Sequence, residues 1–230
     1  YGSERVIAYL FIPKTSSPPY QAIVYYPGGG AINRRSSESL ESLEFRQYDF
    51  FVKSGRAVIF PMYKSTYERG DDLESHMPNE TNFYKEHVIQ WAKDLGRSID
   101  YLESRNDIDS DKLAYFGLSW GGRLGGLMVV VGGRFKTAIF HGAGFRFQKK
   151  KPEADPFHFV SRIRIPVLML NGRYDSFFPY ETSQVPMFEL LGTPEEHKSH
   201  LVYDFGHVLP RNQLIKESLE WLDKYLGPVR

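Results

Sequence analysis

Not one of the 230 residues is cysteine. Disulfide cross-links, a thiolate nucleophile and cysteine-based metal sites are therefore excluded, and the redox compartment is left open. Charge of one sign is also missing. Twenty-nine Lys and Arg against 28 Asp and Glu leave a formal +1, which is no electrostatic footprint for nucleic acid or a membrane surface. No apolar run is long enough to span a bilayer and no secretory leader is visible, so a cytoplasmic protein is expected. Internal repeats and linker-like stretches are lacking too, so residues 1–230 read as a single domain. The abrupt start at Tyr1-Gly2-Ser3 suggests excision from a longer chain, with a covalent neighbour domain before it. What the chain has in quantity is aromatics, 15%, enough for a packed core and an aromatic-lined pocket.

The pattern along the chain alternates strand and helix. Continuous apolar runs at Gln21–Tyr26, Ala57–Met62, Lys112–Phe116, Lys136–Phe140, Ile165–Leu170 and Ser199–Tyr203 read as strands, with a further strand within Glu4–Ile12. Strands of uniform rather than alternating polarity belong to a parallel sheet covered on both faces. Helices are expected from Ser36 or Ser37 to about Lys53, at Asn82–Arg105, Arg123–Val131, Tyr180–Leu191 and Arg211–Leu226, with a short one near Phe157–Ser161. In the Asn82 helix, Val88, Trp91, Leu95, Ile99 and Leu102 recur at three and four, one buried face. Tyr63–Thr81 is long, polar and aperiodic, a loop that could wall one side of a site.

Active sites in such sheets lie beyond the carboxyl ends of the strands. Four strand ends carry chemistry: Pro27-Gly28-Gly29-Gly30, Ser119, Asp175 and His207. Gly117-Leu118-Ser119-Trp120-Gly121 is a G-x-S-x-G between a strand and a helix, the pattern that sets a serine on a tight turn. A serine hydroxyl needs a base to take its proton and an acid to orient that base. Among seven histidines, only His207 follows the last strand and precedes the last helix. His76, His87, His158, His197 and His200 read as solvated or structural, and His141, at a strand end, could line the pocket. Asp175 has rivals in Asp155, on a connection that strays from the sheet, and Asp204, too near His207 in sequence to reach its Nδ1. An oxyanion needs N–H donors. The Trp120 N–H and those of Gly29 and Gly30 are the candidates. Phe177 and Phe178, with Trp120, could add a small apolar acyl pocket.

With Ser, Asp and His in that order, the chain resembles an α/β hydrolase of the dienelactone hydrolase and prolyl-oligopeptidase-like (S9) group, from about Arg5 to Leu226. The telling pieces are Gly117-Leu-Ser-Trp-Gly-Gly122, Pro166-Val-Leu-Met-Leu-Asn-Gly-Arg-Tyr-Asp175 and Phe205-Gly-His207. It is also similar to hydrolase domains appended to bacterial protein kinases. The resemblance implies a mostly parallel central sheet with helices on both faces and a small cap or none. It further implies Ser119 as nucleophile, Asp175 as acid and His207 as base, with no metal or cofactor. Two departures stand out: Pro27 where relatives often have His before the oxyanion glycines, and Ser119 where dienelactone hydrolases proper usually have Cys. The serine argues for ordinary ester chemistry on a small-molecule, short-chain ester. Lack of the S9 propeller argues against peptides. An amidase or peptidase of the S9-like group and a non-catalytic ligand-binding or regulatory module on the same fold are the alternatives, and a homo-oligomer is compatible with either.

Overall fold

The computed structural model describes residues 4–229. Seven strands form one sheet: β1 (Ala8–Phe11), β2 (Tyr20–Tyr26), β3 (Ala57–Pro61), β4 (Ile108–Leu118), β5 (Thr137–His141), β6 (Val167–Gly172) and β7 (Lys198–Tyr203). Their order is β1-β3-β2-β4-β5-β6-β7. Only β1 runs antiparallel, with Ala8 opposite Pro61, and every other pair is parallel. The uniformly apolar strands are the buried ones, and the sheet edges β1 and β7 are half-exposed.

Helices α1 (Asp49–Lys53), α2 (Asn82–Glu103), α3 (Trp120–Gly132), α4 (Val185–Glu189) and α5 (Arg211–Leu226) connect the strands. Successive residues of β4 point to opposite faces. Phe116 meets Phe51 of α1 at 5.1 Å between rings, and Tyr115 bonds Gly121 of α3 through its hydroxyl at 2.7 Å. The five apolar residues expected on one face of α2 are all buried, and Trp91 packs edge-on against Trp120 of α3 at 4.7 Å. Thr81 caps α2, accepting the Tyr84 N–H at 3.1 Å. On the other face Trp221 of α5 donates to Thr137 at 2.7 Å. Among the described residues no helix is long and apolar enough to cross a membrane.

Three expected helices take other forms. Between Ser36 and Lys53 only a single 3-10 turn (Phe45–Gln47) and the short α1 form. Ser37 does not cap a helix; its N–H and Oγ both bond Glu68, at 2.6 and 2.9 Å. Phe45 and Tyr48 are drawn instead into an aromatic cluster with Phe11 of β1, at 5.0 and 5.7 Å, so tertiary packing overrides the helical period. The Phe157–Ser161 region is a series of 3-10 turns at Pro152–Ala154, Pro156–His158 and Val160–Arg162. Each proline withholds an N–H from a longer helix, and the turns lie against Gly126 of α3, where an added methyl would come within 3.3 Å of Pro156. Tyr180–Leu191 splits into a π turn (Tyr180–Gln184) and α4, with Pro186 at the junction.

Candidate active site

The G-x-S-x-G pentapeptide is the β4–α3 corner. Ser119 sits there at φ 52°, a left-handed value that a non-glycine residue adopts only where its surroundings enforce it. The enforcement is steric. A methyl on Gly117 would lie 2.5 Å from the carbonyl carbon of Gly121, and one on Gly121 would lie 2.8 Å from Cβ of Tyr26. A methyl on Gly122 would lie 2.9 Å from Cβ of Ala143, so the third glycine lets α3 approach the end of β5. The Ser119 N–H donates to His141 O at 2.8 Å, and the Gly121 N–H to Pro27 O at 3.1 Å. Between them, among the described residues, no backbone carbonyl accepts from the Trp120 N–H.

Asp175 lies three residues beyond β6. Its Oδ1 accepts the N–H groups of Phe177 and Phe178 at 2.8 and 3.1 Å, and its Oδ2 accepts from His207 Nδ1 at 2.7 Å. The carboxylate is fully buried, and the imidazole is 19% exposed. With the proton on Nδ1, His207 Nε2 is an acceptor, and Ser119 Oγ donates to it at 2.7 Å. The loops after β6 and β7 are zippered: Arg173 N–H to Tyr203 O at 2.7 Å, Tyr174 N–H to Phe205 O at 2.9 Å. A methyl on Gly172 would lie 2.8 Å from the Gly206 carbonyl carbon, so this glycine allows the contact that brings Asp175 to His207. Gly142, at φ 61°, lies beneath the His207 ring. Neither glycine was identified from sequence, although both stand at strand ends.

Asp204 pairs with Arg173 and is exposed, and Asp155 pairs with Lys150. His87 is held between Phe83 O and Asp71. His76, on the loop after β3, lies against the glycine turn, where a methyl on Gly29 would come within 2.7 Å of its Cε1. Burial first, then Arg123 and Arg146, push its pKa down to about 4. The loop thus packs on the glycine turn through this imidazole, and none of its residues lines the cleft at Ser119.

A cleft of ≈ 720 Å³ opens at Ser119 and His207. One side is the Gly28–Gly30 turn. The apolar lining comes from Leu40, Phe45, Leu118 and Val208, and the polar lining includes Arg34, Glu41, Glu44 and Arg46. Gly29 and Gly30 open a short 3-10 turn (Gly29–Asn33). Ala31 N–H is taken by Gly28 O at 3.1 Å, whereas no backbone carbonyl among the described residues accepts from Gly29 or Gly30.

The expected aromatic pocket needs correcting. Phe177 and Phe178 pack at a tilt on the His207 ring, at 4.9 and 5.8 Å between centroids, and Phe177 lines a separate surface hollow with Arg146 and Pro179. They sit behind the imidazole, away from the cleft, because Phe177 and Phe178 are tied to Asp175 through their N–H groups. Trp120 contributes its backbone to the corner and its indole to the core, against Tyr26 and Trp91. His141 is not in the cleft lining either. It is fully buried, its Nε2 accepts the Leu209 N–H at 3.3 Å, and burial, helped by nearby His207, lowers its pKa to about 3. It anchors the chain just past His207. The residues that do line the cleft, from 34 to 47, carry no motif.

Residues 8–198 match the dienelactone hydrolase family. The chain belongs to that family. YtaP of Bacillus subtilis (strain 168) is 24% identical over 146 residues, 60% of this chain and 48% of that protein, so the chain spans about half the length of this curated relative. Solved structures repeat the fold at low identity. Est1E from Butyrivibrio proteoclasticus, solved with ferulic acid, gives a TM-score of 0.70 at 13% identity, covering 96% of each chain. Esterase 2 of Thermogutta terrifontis, phosphorylated by paraoxon, gives 0.71 at 15%, covering 100% of this chain and 93% of its own. An acetyl xylan esterase from Paenibacillus sp. R4 gives 0.68 at 17%, covering 96% and 80%. At such identities the likeness speaks for the fold, an α/β-hydrolase architecture.

Proposed function

We propose that the protein is a serine hydrolase that cleaves carboxylic esters of small, short-chain substrates through an acyl-enzyme. The observation that carries this reading is the hydrogen-bonded series from Asp175 through His207 to Ser119, closed at 2.7 Å on both sides of the imidazole and opening on the cleft. Ser119 Oγ attacks the ester carbonyl while His207 Nε2 takes its proton. Asp175 holds the tautomer that makes this possible and balances the imidazolium. The carbonyl oxygen, now negative, turns to the N–H of Trp120 and to Gly29 or Gly30, at the start of α3 where the helix dipole also favours negative charge. The tetrahedral intermediate collapses, His207 protonates the departing alkoxide, and an acyl–Ser119 ester is left. Water, deprotonated by the same imidazole, repeats the sequence and releases the acid and the free serine.

The substrate range rests on what covers the site. Between β5 and β6 the chain spends its length on 3-10 turns rather than on a helical cap, and Phe145–Lys151 carries four cationic side chains. Each buried CH₂ favours binding by ~0.8 kcal/mol, about fourfold, only while apolar wall lasts. Here that wall is Leu40, Phe45, Leu118 and Val208. kcat/KM over p-nitrophenyl esters should therefore peak at roughly two to six acyl carbons, with no jump as substrate passes its solubility limit. A maximum at ten carbons or more would contradict the small-substrate reading. Faster turnover of p-nitroacetanilide than of p-nitrophenyl acetate would turn the assignment to amides.

A further inference from the structure

Glu44 is a mostly buried acidic group in the cleft that holds the proposed nucleophile. It occupies φ 55°, a left-handed position without a glycine's freedom. That backbone turn places its carboxyl in the cleft with Ser119, and Oε1 lies 3.9 Å from where a Gly30 methyl would stand. The side chain is only 17% exposed. Its protein partners are weak: the Tyr25 hydroxyl donates to Oε2 at 3.3 Å, and Arg34 Nη2 stands 3.6 Å from Oε1, beyond hydrogen-bond reach. Arg34 is held there by other bonds, donating from Nη1 to the carbonyls of Glu41 and Ser42 at 3.0 and 2.5 Å. Burial raises the Glu44 pKa against the opposing pull of Arg34, the Tyr25 hydroxyl and the Gly28 backbone. A carboxylate accepts about four hydrogen bonds, so acceptor capacity is left over and faces the cleft.

The surroundings decide what should fill it. A cationic ligand would meet Arg34 and Arg46, and an anionic one Glu41 and Glu44, two charges of each sign on one wall. Neither has a net advantage. A neutral group that can donate to Glu44 and accept from Arg34 does, and neighbouring hydroxyls on a carbon skeleton offer that pair. Resting on the ester-hydrolase reading above, we propose that Glu44 and Arg34 form a diol-recognising subsite that selects esters of uncharged, polyhydroxylated compounds such as glycerol or a sugar.

Glycerol 1-acetate and n-propyl acetate share the acyl group and the three-carbon leaving alcohol, and differ by two hydroxyls. With the whole chain in a pH-stat, the wild type should favour the glycerol ester by about tenfold or more in kcat/KM. Glu44→Leu should bring that ratio to within threefold of one, and Glu44→Gln, which keeps shape and one acceptor, should fall between. Equal or faster cleavage of propyl acetate by the wild type overturns the proposal. So does a ratio that survives Glu44→Leu, and so does a loss of the same factor on both esters, which would make Glu44 a prop for the Gly28–Gly30 turn. Should Glu44→Leu fail to fold, the wild-type and Glu44→Gln ratios decide alone. If the wild type cleaves neither acetate nor p-nitrophenyl acetate, it is the ester reading that has failed.

Discussion

Gly117→Ala tests the corner on which Ser119 stands. The new methyl would lie 2.5 Å from the Gly121 carbonyl carbon and 2.7 Å from Tyr115 Cε1, where ordinary contact begins at 3.4 Å. The first of these is backbone and the second a fully buried ring, so neither can swing aside. About 0.9 Å of separation is needed between the end of β4 and the start of α3. Carried to Ser119, two residues on, that would stretch the 2.7 Å bond to His207 to about 3.6 Å, outside hydrogen-bond range. A misplacement near 1 Å costs about 10²-fold in rate. Overpacking of this kind costs about 1–3 kcal/mol, which for a chain of this size lowers Tm by about 2–12 °C. The assay is kcat on p-nitrophenyl acetate beside a thermal melt. Gly96→Ala is the control: in mid α2 its methyl meets nothing closer than Arg134 Nη2 at 3.8 Å, and it should leave activity alone while adding about 0.4–1 kcal/mol of stability. A Gly117→Ala protein with unchanged Tm and more than a tenth of wild-type kcat would refute the close-approach argument.

Asp175→Asn should leave the N–H bonds from Phe177 and Phe178 in place but turn an NH₂ toward His207 Nδ1, fixing the wrong tautomer; kcat should fall about 10⁴-fold with Tm little changed. Acid should destabilise the fold early. His141, with a pKa near 3, and His76 and His200, near 4, are lowered mainly by burial from an ordinary 6.5. Below pH 6.5 the unfolded chain binds protons that the folded one refuses, so stability is full above that pH and drains as pH falls. Each such histidine adds a slope of about 1.4 kcal/mol per pH unit. His141→Gln should flatten the urea-derived stability curve between pH 6.5 and 5 by one such slope, and an unchanged slope would mean that His141 is protonated in the folded protein.

The parallel sheet and the meeting of residues 119, 175 and 207 were legible because each rests on local chemistry. Uniformly apolar strands, the glycines at 117 and 121, and the order of strand ends all act over a few residues. The cleft was not legible, because its walls come from a stretch whose helical period is overridden from outside. Phe45 and Tyr48 answer to Phe11, and Ser37 answers to Glu68, contacts 31 to 37 positions away in the chain. The misassignment of Phe177 and Phe178 has a related cause. Adjacency to Asp175 in sequence says that they are near His207, but which side of the imidazole they occupy is set by the N–H bonds to Oδ1. Glu44 carried no signal at all, since its place in the cleft depends on a left-handed turn at a residue type that seldom adopts one.

Ser119 as the nucleophile is tested by a fluorophosphonate. Such a reagent phosphonylates a serine that a neighbouring base activates far faster than an ordinary one, and the adduct is read by mass. One equivalent is expected on the peptide containing Ser119 in the wild type, none on that peptide in Ser119→Ala, and much slower labelling in His207→Ala. Folded wild type that takes up no label, or label that persists at full rate in Ser119→Ala, would contradict it.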